Sequence, residues 1–277
     1  MNLQEKYISL QEILKELGKV VVAYSGGVDS TFLLKAAVDT LGAENVLACI
    51  SAGVAEPSSQ LKRAAEQAKS IGAELQVIET DELADPKFTS NKADRCFHCK
   101  SHICRLLLDI VKEKGFDNVV FGANYDDLDD FRPGNRAMKV FGVRSPLAEA
   151  KLTKNDIRRL SREMNLPTAD LPSSPCLASR IAYGIEVTEQ RLKQVDEAEE
   201  FLRQLGLVEF RVRHHDTVAR IEINPQDIDK VTKEPNRSKI IEKFKSLGFK
   251  FVTIDLQGFR SGSLNEPLSD EEKQKSL

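Results

Sequence analysis

The chain has 277 residues with 40 basic and 43 acidic side chains and a formal net charge of −3, which excludes a histone-like or arginine-rich nucleic-acid binder. With 41% hydrophobic and 30% charged residues and no low-complexity tract, the composition is that of an ordered protein large enough for two cores. No apolar run reaches ~18 residues, and Met1 to Leu17 carries helical periodicity in place of a secretory signal, so the expectation is a cytoplasmic protein with no membrane partner.

In chain order, Leu3, Tyr7, Leu10, Leu14 and Leu17 mark an amphipathic helix, and Val20-Val21-Val22-Ala23-Tyr24 reads as a buried strand. A helix is expected over Ser30 to Leu41, a strand over Val46 to Ile50, a helix opened by Pro57, and a strand over Leu75 to Ile78. A polar loop leads to a cysteine-bearing segment and a helix holding Ile103, Leu106, Leu107, Ile110 and Val111. The strand Val119-Val120-Phe121 follows, and Thr153 with Asp156 caps a helix through Met164. This alternation predicts an α/β fold with a parallel sheet, whose ligands bind beyond the carboxyl ends of the strands.

Pro167, Pro172, Pro175 and Gly184 mark a change of composition. The expected division is 1–175 and 176–277, the latter a smaller α/β unit. It has a helix over Glu189 to Leu205, strands at Phe210 to His214, Val218 to Ile223 and Phe251 to Leu256, and short helices near Asp227 and Ile240.

Ser25-Gly26-Gly27-Val28-Asp29-Ser30 lies between the first strand and the following helix. Its glycines permit a sharp turn with backbone N–H groups against an anion, the helix N-terminus adds partial positive charge, and Ser25 and Ser30 offer hydroxyls. Asp29 suits this place if it holds a divalent cation bridging phosphate oxygens. No lysine follows as in GxxxxGK[ST], and the string is not GxGxxG. It resembles the PP-loop of the ATP pyrophosphatase superfamily. That resemblance implies ATP with Mg²⁺, with Ser25, Gly26, Gly27, Asp29 and Ser30 around pyrophosphate.

Five cysteines, Cys49, Cys96, Cys99, Cys104 and Cys176, argue against a disulfide scaffold in a chain of this size. Cys96-Phe97-His98-Cys99, placed just ahead of a helix, offers two thiolates to one metal. Cys104, His98, His102 and Cys176 are candidates for a third ligand, and zinc is a rival to iron. Cys99 and Cys104 stand about 140° apart around a helix, and Cys104 and Cys49 read as core. Cys176 lies in the Pro-broken loop Pro175-Cys176-Leu177-Ala178-Ser179-Arg180, with a cation four residues on.

Taken together, the PP-loop, Gly122-Ala123-Asn124-Tyr125-Asp126-Asp127, Asp130-Phe131-Arg132-Pro133-Gly134, Ser179-Arg180, Tyr183-Gly184, Arg211-Val212-Arg213, Ala219-Arg220-Ile221-Glu222 and Asp255-Leu256-Gln257-Gly258-Phe259-Arg260-Ser261-Gly262 resemble the LarE family. These are ATP-dependent sulfur transferases that build the nickel-pincer nucleotide cofactor of lactate racemase. The resemblance implies adenylation of a carboxylate of a pyridinium dicarboxylate mononucleotide, then displacement of AMP by sulfur to leave a thiocarboxylate. Members with one cysteine in the loop before Ser-Arg sacrifice its sulfur and become dehydroalanine. The added Cys96 and Cys99 match another subgroup, in which CxxC and a distant cysteine hold a [4Fe–4S] cluster. The assignment is therefore Cys96, Cys99 and Cys176 as cluster ligands, with sulfide or another sulfur donor as co-substrate, and sacrifice of Cys176 as the alternative.

Arg211 and Arg213 are two apart on a strand and share a face, and their forks suit a substrate phosphate. Arg180, Arg260 and Ser261 from other loops could complete that anion pocket, and the resemblance implies that Ser179, Arg211, Arg213 and Glu222 line the nucleotide-substrate site, with Glu199 assisting metal or phosphate binding. Asn124 and Arg132 are expected at the nucleotide, while the acidic run Asp126, Asp127, Asp129 and Asp130 could hold Mg²⁺ but reads first as a solvated loop. His214 and His215 receive no role. The family implies a homo-oligomer, up to a hexamer of three dimers. A tRNA thiolase is the competing function, but the charge balance, the absence of Trp and the lack of further CxxC pairs weigh against a nucleic-acid partner. An ammonia-using synthetase would leave the cysteines without work.

Overall fold

The computed structural model describes residues 1–128, 133–172 and 175–276. Its elements, in chain order, are α1 (Leu3–Leu17), β1 (Val20–Ala23), α2 (Val28–Leu41), β2 (Val46–Ala52), α3 (Ser58–Ile71), β3 (Glu74–Glu79), α4 (Pro86–Thr89) and α5 (Arg95–Lys114). They continue as β4 (Asn118–Phe121), α6 (Pro133–Val140), α7 (Pro146–Glu149), α8 (Lys154–Glu163), α9 (Glu189–Gln204), β5 (Phe210–His215) and β6 (Val218–Ile223). The last are α10 (Ile228–Thr232), α11 (Asn236–Ser246), β7 (Phe251–Ile254) and α12 (Asp270–Ser276).

The chain divides into two compact units, one of Met1–Thr80 with Cys96–Ser174, the other of Asp81–Arg95 with Pro175–Ser276. Residues 81–95, which the sequence places in a polar loop of the first domain, pack with the second unit.

In the first unit the strands run parallel in the order β3-β2-β1-β4. Alternation along each strand serves two cores. Val20, Val22, Ala48, Ile50 and Val120 face one, which includes side chains of α1, α2 and α8, while Val21, Leu47, Cys49, Val119 and Phe121 face the other, with Leu107 and Ile110 of α5. A strand buried on both faces reads as a continuous apolar run, as Val20 to Val22 does. The Thr153–Asp156 capping box forms, and Asp156 also accepts from Lys6 at 2.6 Å.

The second unit has a sheet in the order β5-β6-β7, with β5 and β6 antiparallel and β6 and β7 parallel. Val212, Ala219, Ile221 and Ile223 belong to its core together with Ala198 and Leu202 of α9 and Phe244 of α11. The opposite face of β5 and β6 carries Arg211, Arg213, His215, Arg220 and Glu222, because side chains alternate with period two. Among the described residues no helix is long and apolar enough to cross a membrane.

Candidate functional site

The turn after β1 is built by its own hydroxyls. The Ser25 N–H donates to Ser30 Oγ at 3.2 Å, the two hydroxyl oxygens lie 3.0 Å apart, and Gln60 Nε2 donates to the Ser25 carbonyl at 2.7 Å. Gly26 has φ +70°, and a Cβ there would stand 2.7 Å from Ala64 Cβ. Across the loop, a Cβ on Gly122 would come within 3.0 Å of the Ser30 nitrogen. The loop thus needs hydrogen at both positions. Gly27 is the N-cap of α2 and supplies no side-chain cap, so the first helical N–H groups and the helix dipole face outward toward any anion.

Asp29, in the first turn of α2, accepts from Lys154 Nζ at 2.6 Å through Oδ2. Its other oxygen, Oδ1, is buried with no hydrogen-bond partner. A carboxylate with one oxygen unsatisfied next to an open helix N-terminus fits a divalent cation that bridges to phosphate. Lys154 is the first residue of α8, and its N–H is held by Asp126 Oδ2 at 2.8 Å. Sequence reasoning missed Lys154, although its position directly after a capping threonine fixes where it points.

Beyond the carboxyl end of β2 lies a cavity of about 230 Å³, lined by residues that include Ile50, Ser51, Gly53, Pro57 and Gln60. Gln60 therefore joins the loop to the cavity, and its Oε1 is buried without a partner. Asn124 is buried, and its Oδ1 accepts from the N–H groups of Asp126 at 2.9 Å and Asp127 at 3.3 Å. Its carboxamide oxygen is thus committed to shaping the loop. Asp127, expected in solvent, is buried and accepts from the Asn124 N–H at 3.1 Å. Asp129, Asp130, Phe131 and Arg132 lie outside the described residues.

The CxxC pair does not precede its helix but forms the first turn of α5, which starts at Arg95. Nothing in Cys-Phe-His-Cys breaks a helix, and Cys96 and Cys99, three apart, share a face. Both are half-buried, as is Cys176. Cys49 and Cys104 sit in the core, where burial pushes the Cys49 thiol up to about 12 and raises that of Cys104. Those two are therefore poor metal ligands at neutral pH. Arg136 lies 4.6 Å over the Phe97 ring and Lys100 lies 5.3 Å over Phe121 at the end of β4. His98 is half-buried and His102 exposed. Among the described residues no three His, Cys, Asp or Glu side chains form a group able to hold a metal ion.

The second unit gathers the predicted phosphate ligands into a buried network. Arg180 and Glu199 pair through two bonds of 2.9 and 3.0 Å, at 2% and 4% exposure. Burial opposes ionisation of Glu199, but the Arg180 charge and its bonds hold the carboxyl below its ordinary range. The Arg213 guanidinium donates to Glu222 at 3.0 Å, to Ser263 Oγ at 2.7 Å and to the Ser179 carbonyl at 2.9 Å. Glu222, fully buried, also accepts from Arg220 at 3.0 Å and from the Ser263 hydroxyl. Arg211 lies 4.9 Å over Phe259, and its pKa falls to about 10 because burial and then the charge of Arg180 disfavour a further cation. Arg180, Arg211, Arg213 and Arg220 stand against Glu199, Glu222 and, 3.6 Å from Arg220, Asp255, which leaves one more cation than anion among these residues. Arg260 is turned to Glu266 at 3.0 Å and sits at the margin. Ser263 carries no sequence signal that separates it from a solvated serine.

Cys176 belongs to the same network. Its carbonyl accepts from Ser179 Oγ at 2.7 Å and from Arg180 Nη1 at 3.2 Å, just before the 3-10 turn Leu177–Arg180. The loop that carries this thiol is fastened to the arginine cluster by its own backbone.

Comparison with known proteins agrees with this geometry. The family model "Arginosuccinate synthase N-terminal HUP domain" matches residues 19–167. The chain is 37% identical to the pyridinium-3,5-bisthiocarboxylic acid mononucleotide synthase of Lactiplantibacillus plantarum, over 97% of this chain and 96% of that one. It is 39% identical to an uncharacterized protein of Synechocystis sp. over 96% of this chain and 99% of that one. An uncharacterized protein of Methanocaldococcus jannaschii is 36% identical over 93% and 98%. With the PP-loop, the parallel sheet and full-length similarity together, the chain belongs to the LarE family of PP-loop, ATP-dependent sulfurtransferases.

Proposed function

We propose that the enzyme adenylates a carboxylate of pyridinium-3,5-dicarboxylate mononucleotide and replaces AMP by sulfur, giving a thiocarboxylate for the nickel-pincer nucleotide cofactor. The observation that carries this is the attachment of the Cys176 loop to a buried cluster of Arg180, Arg211 and Arg213. A loop that carries a thiol and is tied through its carbonyls to buried guanidinium groups suits an anionic nucleotide that must receive sulfur.

In the first step a substrate carboxylate oxygen attacks the α-phosphorus of ATP, and pyrophosphate leaves. The loop Ser25 to Ser30 and the N-terminus of α2 bind the departing pyrophosphate, Asp29, with one carboxylate oxygen unpartnered, would hold Mg²⁺, which would neutralise phosphate charge, and the cavity beside Gln60 takes adenine. Arg211 and Arg213, with Ser179, Glu222 and Arg260 around them, bind the substrate phosphate. Asn124 shapes the nucleotide loop, and Arg132 is assigned to the nucleotide in this reading. In the second step sulfur attacks the acyl carbon, the C–O bond to AMP breaks, and AMP carries away the electron pair.

By donor chemistry the half-buried thiols of Cys96, Cys99 and Cys176, unlike the two core cysteines, are the residues that would hold a [4Fe–4S] cluster, which would supply an iron open to exogenous sulfide. We further infer a cytoplasmic homo-oligomer. Edge strand β7 and its extension expose Phe251 at 60% and Leu256 at 88%, which supports self-association through the second unit.

Anaerobic iron and acid-labile sulfide analysis of wild type and of Cys96→Ser, Cys99→Ser and Cys176→Ser, beside a pyrophosphate-release assay with the dicarboxylate, tests the reading. Cluster iron lost in each variant while wild type turns over repeatedly supports it. A single turnover with loss of one sulfur from Cys176 by mass spectrometry returns the enzyme to the sacrificial route. Equal activity in Cys176→Ser sinks both.

A further inference from the structure

The stretch 81–95 of the second unit ends in two buried polar residues. Asn91 is fully buried, with φ +51°, and Arg95 is 1% exposed. Asn91 Nδ2 lies 3.2, 2.9 and 2.8 Å from the carbonyls of Ile181, Ala182 and Ile185, and donates to them. The Asn91 carbonyl accepts from the Gly184 N–H at 3.2 Å. Its Oδ1 accepts from Arg95 Nη1, which also donates to the Ala178 carbonyl at 2.8 Å. The guanidinium stands 5.9 Å over the Tyr183 ring, and the Tyr183 hydroxyl donates to Asn265 at 3.0 Å.

These contacts seize one segment, 178–185. It starts two residues after Cys176 and contains Ser179 and Arg180. Burying a guanidinium is costly unless its donors are used, and an apolar side chain would fill the same space more cheaply. What a guanidinium adds is direction, because its planar fork fixes the carbonyl that it meets. Arg95 is also the residue immediately before Cys96. One side chain therefore binds the loop of Cys176 while its own backbone leads into the CxxC turn.

We propose that Arg95 is a positioning residue for sulfur transfer, locked by Asn91, that fixes the Cys176 loop through the Ala178 carbonyl. The inference rests on the reading that Cys176 takes part in that transfer.

Arg95→Met, Arg95→Lys and Asn91→Asp in the full chain test it after anaerobic reconstitution. Each is measured for melting temperature, iron content, electron paramagnetic resonance line shape, ATP affinity, and kcat and KM for thiocarboxylate formation. Arg95→Met is expected to lower kcat at least tenfold with ATP affinity within twofold, and to change the line shape or iron content. Arg95→Lys recovers part of kcat, since an ammonium still donates but lacks the planar Nη1 that aims its two hydrogens at Asn91 Oδ1 and the Ala178 carbonyl. Asn91→Asp keeps the acceptor for Arg95 and tolerates φ above zero but sets a carboxylate oxygen against the carbonyls of Ile181, Ala182 and Ile185, so its kcat falls at least as far as that of Arg95→Met.

A merely structural role would lower the melting temperature but leave kcat per folded enzyme and the line shape as in wild type, and that result overturns the proposal. Should Arg95→Met not fold, Arg95→Lys and Asn91→Asp decide by the same readouts. Wild type that is active but indifferent to Cys176→Ser removes the underlying reading, and the positioning role with it. Wild type that needs Cys176 but not Arg95 removes the positioning role alone.

Discussion

Lys154 Nζ sits 2.6 Å from Asp29 Oδ2, across 125 residues of sequence, while the second oxygen of the same carboxylate is buried without a partner. The pair is a third to a fifth exposed, so its direct worth to folding is at most about 1 kcal/mol. Its meaning lies in aim, because one carboxylate oxygen is pinned and the other is left without a partner in the first turn of α2. Lys154→Met should leave the denaturation midpoint almost unmoved and raise the KM for ATP on the order of tenfold, about 1.4 kcal/mol of binding. Asp29→Asn should abolish the Mg²⁺ dependence together with activity. Steady-state kinetics over an ATP and Mg²⁺ grid, with a KM for Lys154→Met equal to wild type, would refute this assignment.

The two glycines of the loop separate fold from binding. Gly26→Ala combines φ +70° with a 2.7 Å approach to Ala64 Cβ, whereas an added methyl on Gly27 meets only Ser25 Oγ at 3.4 Å. Gly26→Ala should therefore lose about 1–3 kcal/mol of stability and detectable ATP binding. Gly27→Ala should keep its stability and lose affinity alone. Urea midpoints with ATP titration check the contrast, and equal stability losses would contradict it.

The same contrast explains what the amino-acid pattern discloses and what it hides. Val20 to Val22, the glycine turn and the Thr153–Asp156 box are local, so strand, loop and helix start follow from a few adjacent residues. The LarE likeness rested on such strings, and full-length identity to a LarE synthase supports it. Buried ion pairs are not local. Arg95 meets Ala178, 83 residues away, and Arg180 meets Glu199 across a turn and most of a helix. In one dimension Arg95 reads as an ordinary surface charge, and Arg180 and Glu199 as separate pocket residues with nothing to show that they pair. The return of 81–95 to the second unit is hidden for the same reason, since Asn91 looks like any loop asparagine until its acceptors are known.

Arg180 and Glu199 make a sharp test of burial. Glu199→Gln leaves a guanidinium at 2% exposure without its counter-charge, for which about 3–5 kcal/mol of destabilisation is expected. Arg180→Met with Glu199→Leu removes both charges and should be less damaging than the single change, despite the carbonyls of Pro175 and Cys176 losing a donor. Urea unfolding of the three proteins decides. A double variant less stable than Glu199→Gln would show that the donor to the loop, not the charge, dominates.

His214 sets the acid limit of the second unit. It is 1% exposed, its ring packs 5.1 Å from Phe249, and Nε2 lies 3.0 Å from Gln194 Oε1. Gln194 Nε2 donates to the Leu247 carbonyl at 2.6 Å, so the Gln194 oxygen faces the ring and Nε2 must carry the proton. Nδ1 is buried with no acceptor, and protonating it would put charge where burial, then Arg191, opposes it, lowering the pKa from 6.5 to about 4. Unfolded chains bind this proton near pH 6.5 and the folded state only near 4. Stability from His214 is thus fully present above about 6.5 and drains as the pH falls toward 4, to a total on the order of 3 kcal/mol. His214→Gln keeps an amide donor toward Gln194 but cannot take up the proton. Its stability should start lower at pH 7.5, through the lost packing on Phe249, and then decline less steeply than wild type between pH 6.5 and 4. Urea unfolding across that range measures both slopes, and parallel profiles would show that another group governs acid unfolding.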